Sequence, residues 1–122
     1  MPTMTPLKIH AQREHVPSFD EYQKFTTTTA RYPTEEAIGY LALGLNGEAG
    51  EVAEKVKKYI RDDTPFDVFM PAVIKELGDV MWYVAQLAHT FNVDLSTVAA
   101  LNMDKLQSRV DRDKVHGDGD DR

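Results

Sequence analysis

The chain has 122 residues, a hydrophobic content of 42% and a formal net charge of −6. This length suits one domain with a modest core and is too short for two. The excess of acidic residues argues against a nucleic acid polymer as partner, and the absence of cysteine excludes disulfides, thiolate metal sites and cysteine nucleophiles. Because no run approaches the roughly 18 apolar residues of a membrane span, we expect no membrane partner and a cytoplasmic location.

The chain divides into three parts by composition. Residues 1–17 contain three prolines, mixed charges and no hydrophobic period, which predicts a flexible N-terminal arm. Residues 113–122 are polar and rich in glycine, which predicts a tail that does not pack unaided. Residues 18–112 between them carry helical periodicity, and we expect them to form the single domain.

The first two predicted helices are marked by capping signals. Ser18 and Glu21 have the spacing of a capping box, in which each side chain bonds the other residue's backbone N–H, and a helix is predicted over residues 18–31. Thr34 is the predicted cap of a second helix. The apolar residues that follow recur at three, four and seven positions, so this helix is predicted to run to about residue 61.

The second half of the chain predicts two more helices. Pro71 suits the first turn of a third helix, whose apolar stripe continues to Phe91. A fourth helix is predicted near residues 95–112. Since no strand pattern or internal repeat appears, the expected fold is all-α, a bundle-type domain of about four helices.

Two acidic pairs interrupt the apolar stripes. Glu48 lies in line with the apolar residues of the second helix, and Glu51 follows one turn later. Glu76 and Asp79 repeat this spacing in the third helix. Two like charges about 4 Å apart at an effective dielectric near 20 oppose folding by roughly 4 kcal/mol, so something must offset the repulsion. Protonation, arginine partners or divalent cations would do so, and we favour a hard cation such as Mg²⁺, with Mn²⁺ as a substitute, for an all-oxygen cluster.

Four glycines accompany the acids at Gly44, Gly47, Gly50 and Gly78. Each costs its helix about 1 kcal/mol relative to alanine. We interpret them as positions where another helix or a ligand approaches closely.

A solvated helix face is the alternative interpretation of any single acidic pair. Glu54 fits that alternative, because it points away from the apolar stripe and has Lys55, Lys57 and Lys58 nearby. We expect it to be a surface ion-pair partner. The four histidines are scattered, and none is a predicted ligand.

The segments GEAGEVAEK and ELGD resemble the ExxE…ExxD signature of the MazG-like nucleotide pyrophosphohydrolases, a group of all-α enzymes. Glu48-x-x-Glu51 and Glu76-x-x-Asp79 match it, with 24 residues between Glu51 and Glu76. The likeness extends over residues 18–122. Some members carry an acidic pair where this chain has Gly47 and Glu48, so the resemblance leaves the number of metal ions open.

The resemblance implies a Mg²⁺-dependent enzyme that hydrolyses a nucleoside triphosphate between the α and β phosphates, giving the monophosphate and pyrophosphate. Glu48, Glu51, Glu76 and Asp79 are then the expected metal ligands, with Glu48 or Glu51 as the catalytic base. The expected substrate contacts are Lys58, Arg61, Lys105 and Arg109 for the outer phosphates, Trp82, Tyr22 and Tyr40 for stacking on the base, and Asn102 for the base or sugar. A surface role for each cation and a core role for each aromatic are the alternatives.

The resemblance also implies a homodimer or homotetramer with its sites near the subunit interface. The candidate interface residues are Phe69, Met70, Met81 and Phe91. Two other functions stay open: a catalytically silent nucleotide or metal sensor, and a helical interaction module. Neither the base nor the sugar of the substrate follows from these residues.

Overall fold

The computed structural model describes residues 9–113 and 116–120, and this part of the chain is helical with no strand. The helices are α1 (Phe19–Thr26), α2 (Ala37–Asp62), α3 (Phe66–Thr90) and α4 (Leu95–Asp111), and a short 3₁₀ turn at Thr34–Glu36 leads into α2. The expected all-α fold with four helices is confirmed. The boundaries of the arm and the tail stay predictions, and residues 1–8, 114–115 and 121–122 of these segments lie outside the described residues.

Helix α1 begins as predicted and ends earlier than predicted. The Ser18 hydroxyl accepts from the Glu21 N–H at 3.1 Å, and the Glu21 carboxylate accepts from the Ser18 N–H at 3.2 Å, which confirms the capping box. The helix stops at Thr26, not at residue 31, because the threonine run that follows turns its hydroxyls onto the backbone. Each of Thr26, Thr27, Thr28 and Thr29 donates to the carbonyl three residues earlier.

Gln23 holds α1 against the junction between α3 and α4. Its buried amide donates to the carbonyls of Ala85 at 3.3 Å and Val93 at 2.9 Å. Its side-chain oxygen accepts from the Leu95 N–H at 2.9 Å, which satisfies a donor in the first turn of α4. One side chain thus connects three helices.

Helix α2 begins at Ala37, so the predicted capping role of Thr34 is wrong. Thr34 instead opens the 3₁₀ turn, and no side chain caps α2. The helix ends where Asp63 adopts a left-handed φ of 51°. This conformation cannot continue a right-handed helix.

Helix α3 begins at Phe66, five residues before Pro71, which was predicted to lie in its first turn. The reason is Pro65, whose carbonyl accepts from the N–H groups of Val68 and Phe69, both at 3.0 Å. The Phe69 ring also stacks on Tyr59 of α2 at a centroid distance of 4.1 Å, which stabilises the first turn. Pro71 therefore lies inside α3.

Helices α2 and α3 form the most extensive helix pair, and the core around them is small. The buried apolar residues among the described ones are Ala37, Leu41, Ala85, Ala88 and Leu95. Many large apolar side chains on α2, α3 and α4 remain exposed in the single chain. No described helix has the length and apolar character needed to span a membrane.

Candidate active site

Three acidic side chains from two helices meet at one point. Glu48 of α2 and Glu76 and Asp79 of α3 each offer a carboxylate oxygen, and these oxygens all lie within 4.8 Å of one another. Glu48 and Glu76 are half-buried, whereas Asp79 is exposed. The structure therefore brings together three of the four predicted metal ligands.

The ionisation of Glu48 is opposed by its surroundings. Partial burial raises the pKa of the Glu48 carboxyl, and the charges of Asp79, Glu76 and Glu51 raise this pKa further. A bound divalent cation would reverse this effect, because it favours the ionised form of every carboxylate around it. Three carboxylates within reach of one point, in a group with no sulfur or imidazole ligand, fit a hard cation such as Mg²⁺.

Glu51 lies apart from this group of three. Its side chain is exposed, and the residues that converge within 4.8 Å do not include it. Its charge nevertheless contributes to the raised pKa of Glu48. The assignment of Glu51 as a metal ligand or base therefore stays a prediction.

Lys55 faces the acidic group, an arrangement that was not among the predictions. Glu54 forms ion pairs with Lys57 at 2.8 Å and with Lys58 at 3.8 Å, as expected of a surface ion-pair partner. Lys55 instead places its Nζ atom 4.0 Å from Glu76 Oε1. The sequence carries the signal, because position 55 lies seven residues after Glu48 and hence on the same helix face.

Gly44 is required by the packing of α2 on α3. A Cβ atom at this position would overlap the ring of Tyr83. Cβ atoms at Gly47, Gly50 and Gly78 would meet nothing within 4 Å. The prediction that another helix of the chain approaches closely is thus confirmed for Gly44. It is wrong for Gly47, Gly50 and Gly78, where approach by a ligand stays a prediction.

Tyr83 belongs to the site although it was not among the predicted residues. Burial raises the pKa of its phenol, and the neighbouring Tyr40, Glu48 and Asp79 raise this pKa further. The signal available in the sequence is its position four residues after Asp79, which places both on one face of α3.

An aromatic group adjoins the acids. Trp82 packs edge-on against Tyr83 at 5.0 Å and against Tyr32 at 6.4 Å, and Tyr32 stacks on Tyr40 at 5.5 Å. The indole N–H of Trp82 donates to the Thr29 hydroxyl at 2.8 Å. An open pocket of about 310 Å³ lies between these rings and the acids, lined by Thr29, Glu48, Asp79, Trp82 and Tyr83.

Tyr22 reaches the acidic segment of α3 from α1. Its hydroxyl donates to the Gly78 carbonyl at 3.4 Å, next to Asp79. Burial and the charge of Asp79 raise the pKa of this phenol. Two of the predicted substrate contacts, Tyr22 and Trp82, thus lie beside the acids.

The remaining predicted substrate contacts do not line the pocket that contains Glu48. Lys58 pairs with Glu54 at 3.8 Å, and Arg61 binds Asp62 through two hydrogen bonds. Asn102 lines a separate apolar groove.

Lys105 and Arg109 of α4 contact the C-terminal tail. Lys105 lies 3.3 Å from the Asp120 carboxylate. The buried Arg109 donates to the carbonyls of Gly119 and Asp120, and its Nε atom has no partner among the described residues. Both side chains thus bind oxygen atoms, and side chains of this type also bind the oxygens of phosphate groups.

Comparisons with known proteins identify the family of the chain. The family model described as the MazG nucleotide pyrophosphohydrolase domain matches residues 28–112. The Gene 37 protein of Mycobacterium phage L5 is 48% identical to this chain over 111 residues, and the match covers 84% of this chain and 97% of the phage protein. No solved structure gives a significant match.

Proposed function

Because the chain belongs to the MazG nucleotide pyrophosphohydrolase family, we propose that it hydrolyses a nucleoside triphosphate between the α and β phosphates. The products are the nucleoside monophosphate and pyrophosphate. The observation that carries the proposal is the convergence of Glu48, Glu76 and Asp79 within 4.8 Å. This cluster lies beside an aromatic pocket of a size that admits a small ligand.

The proposed cofactor is Mg²⁺, held by Glu48, Glu76 and Asp79, with Glu51 as a further ligand. When bound, it would stabilise the negative charge that develops on the phosphoryl group. Two packed helices, α2 and α3, supply these three carboxylates.

The proposed general base is Glu48, with Glu51 as the alternative. Glu48 lines the open pocket together with Asp79 and Trp82, which places its carboxylate beside the space where a ligand would bind. Glu51 is more exposed and has freer access to water. Either carboxylate would accept the proton of the attacking water and orient its oxygen towards the α-phosphorus.

The nucleobase is proposed to bind against the aromatic group. Trp82 lines the pocket that contains Glu48 and Asp79, and Tyr40 is close enough to Tyr32 to extend the same surface. Base stacking on an aromatic ring contributes about 1–3 kcal/mol per base and tolerates any base. The arrangement therefore supports binding of a nucleotide without selecting its base.

Lys105 and Arg109 stay proposed contacts for the outer phosphates. Both now bind the tail through Asp120, which is an anion, and a phosphate would replace that carboxylate. The buried Nε of Arg109 offers a further donor. Lys58, Arg61 and Asn102 also stay proposed substrate contacts, and they are supported only by their positions in the sequence.

The active protein is proposed to be a homodimer or homotetramer. Phe19, Met81 and Val98 line an apolar groove of about 360 Å³ between α1, α3 and α4, and their side chains are 51%, 42% and 38% exposed. Phe91 is also exposed, whereas Phe69 and Met70 are half-buried. A second copy that covers the groove would bury this apolar surface.

A panel of canonical and modified ribo- and deoxyribonucleoside triphosphates tests the function. With Mg²⁺, at least one nucleotide should yield monophosphate and pyrophosphate in equal amounts, and the Asp79→Asn variant should yield neither. Release of diphosphate and orthophosphate would contradict cleavage at the α–β bond. Nucleotide-dependent thermal stabilisation without turnover would favour the silent sensor instead.

A further inference from the structure

Lys55 is the cation placed against the proposed metal ligands. Its Nζ atom lies 4.0 Å from Glu76 Oε1, and the two side chains are 37% and 17% exposed. It projects from the same face of α2 as Glu48, two turns further along the helix. A positive charge thus lies at the edge of three converging carboxylates.

The neighbouring lysines have a different partner. Glu54 lies on another face of α2 and binds Lys57 at 2.8 Å and Lys58 at 3.8 Å. Of these three lysines, Lys55 is the one that pairs across to α3. The Lys55 ammonium is therefore attracted by the acidic group on α3, whereas Lys57 and Lys58 are attracted by an acid of their own helix.

The Lys55 ammonium and a divalent cation would compete for the same carboxylate oxygens. Without metal, the ammonium of Lys55 offsets part of the repulsion among the carboxylates. A divalent cation takes the same oxygens and repels the ammonium. The lysine side chain is long and flexible, so its charge can move by several ångströms without a change in the helix. A metal-bound triphosphate brings several negative oxygens to the place where the ammonium is released.

We propose that Lys55 is an exchangeable counter-ion, bound to Glu76 before the metal arrives and transferred to a β- or γ-phosphate oxygen of the incoming triphosphate. No bond is made or broken in this step, which exchanges one ion pair for another. The inference rests on the proposed function, since it requires that a divalent cation and a polyphosphate bind at Glu48, Glu76 and Asp79.

The test compares binding of Mn²⁺ alone with binding of pyrophosphate in the presence of Mn²⁺. Pyrophosphate is the proposed product for every base, so the unknown base does not matter. Free Mn²⁺ is followed by electron paramagnetic resonance, and pyrophosphate binding by calorimetry. The variants are Lys55→Gln, Lys55→Arg and, as the matched control from the opposite face of α2, Lys57→Gln.

The two affinities should move in opposite directions in Lys55→Gln. Mn²⁺ alone should bind about two- to five-fold more tightly, because a partly exposed competing ion pair is lost. Pyrophosphate should bind at least about tenfold more weakly, because a charge-assisted hydrogen bond is lost. Lys55→Arg and Lys57→Gln should stay within about twofold of the unaltered protein in both measurements.

Three outcomes would overturn the inference and leave the proposed function intact. If Lys55→Gln weakens binding of both Mn²⁺ and pyrophosphate, Lys55 stabilises the structure of the site and does not move from Glu76 to a phosphate. If pyrophosphate binding does not change, the ammonium has no phosphate partner. If the unaltered protein binds Mn²⁺ and Lys57→Gln gives the same pattern as Lys55→Gln, the effect is one of general charge. Absence of Mn²⁺ binding by the unaltered protein would instead overturn the proposed function, and this inference with it.

Discussion

Glu48 is a carboxyl group whose ionisation the fold opposes. It projects from α2 into a half-buried position where Glu76 and Asp79 of α3 also point. Burial and these like charges raise its pKa, whereas no opposing cation contacts it in the described part of the chain. Its position therefore destabilises the metal-free fold, and a bound cation would offset this cost.

The substitution Glu48→Gln should separate stability from activity. Removing one charge from the group of acids relieves roughly 0.5 kcal/mol of repulsion at a site open to solvent, so the metal-free melting temperature should rise by about 2–4 °C. Pyrophosphate release should be lost. Glu51→Gln should also abolish turnover and leave the melting temperature unchanged or slightly raised, because Glu51 is exposed. A lower metal-free melting temperature for Glu48→Gln would contradict the electrostatic account.

The stability difference between Glu48→Gln and the unaltered protein should depend on pH, because the pKa of Glu48 is raised in the folded state. A carboxyl whose pKa is raised on folding binds its proton more tightly in the folded state, so it stabilises the fold at low pH. That contribution is lost as the pH rises through the raised pKa. The stability advantage of Glu48→Gln over the unaltered protein should therefore be largest near pH 8 and shrink towards pH 4. Melting curves in EDTA at a series of pH values measure the difference in melting temperature between the two proteins. A difference that grows as the pH falls would show that the pKa of Glu48 is not raised.

At the scale of helices, the contact between α2 and α3 positions the acids. Gly44 lets the Tyr83 ring lie directly against the α2 backbone, and Tyr83 in turn lies near Glu48 and Asp79. This contact sets how closely the two acidic segments approach. It is the point where packing and the proposed chemistry are coupled.

Alanine substitutions at two glycines of α2 should have opposite effects on stability. Gly44→Ala should lower the free energy of unfolding by about 1–3 kcal/mol, because its Cβ overlaps the Tyr83 ring. Gly47→Ala, where nothing lies within 4 Å, should raise it by up to about 1 kcal/mol through helix propensity. Urea unfolding in EDTA provides the comparison. Equal effects at the two positions would show that Gly44 is not a packing position.

The helices were predictable where their signals are local. The capping box of Ser18 and Glu21 identified the start of α1 but not its end, and the apolar periodicity of α2 and α4 identified those two helices within a few residues. The start of α3 was misplaced because Pro65 and Pro71 both fit a first turn. The stacking of Phe69 on Tyr59, which favours the earlier start, is a contact between helices that no local pattern reveals.

The site was predictable in its acids and less so in its neighbours. Glu48, Glu76 and Asp79 follow from helical spacing plus the pairing of two helices. Lys55 and Tyr83 lie on the same faces as these acids, yet their partners depend on the rotation of α2 against α3. Spacing within one helix places a residue on a face but does not identify what lies opposite.

At the scale of the whole molecule, the exposed apolar surface is the feature that a single chain leaves unexplained. The groove lined by Phe19, Met81 and Val98 is apolar on three helices, and the buried core of the single chain is small. Association of two copies would supply the missing burial. The proposed oligomer is thus a matter of stability as well as of family resemblance.

The substitution Val98→Asp should shift the protein towards the monomer, because it places a charge in the apolar groove. Thr97→Asp is the matched control, since Thr97 is exposed, neighbours Val98 on α4 and does not line the groove. Light scattering after size-exclusion chromatography gives the mass, and circular dichroism verifies that both variants are folded. A folded Val98→Asp variant with the mass of the unaltered oligomer would show that the groove is not the interface.

Two neighbouring helices, α2 and α3, are proposed to direct their acids at one divalent cation. The most direct measurement is the anomalous scattering of a crystal soaked in Mn²⁺ and pyrophosphate. We expect a peak about 2.0–2.3 Å from carboxylate oxygens of Glu48, Glu76 and Asp79, a typical distance for small divalent ions bound by oxygen. A fully soaked crystal with no peak between these three residues, or with its peak at other side chains, would contradict it.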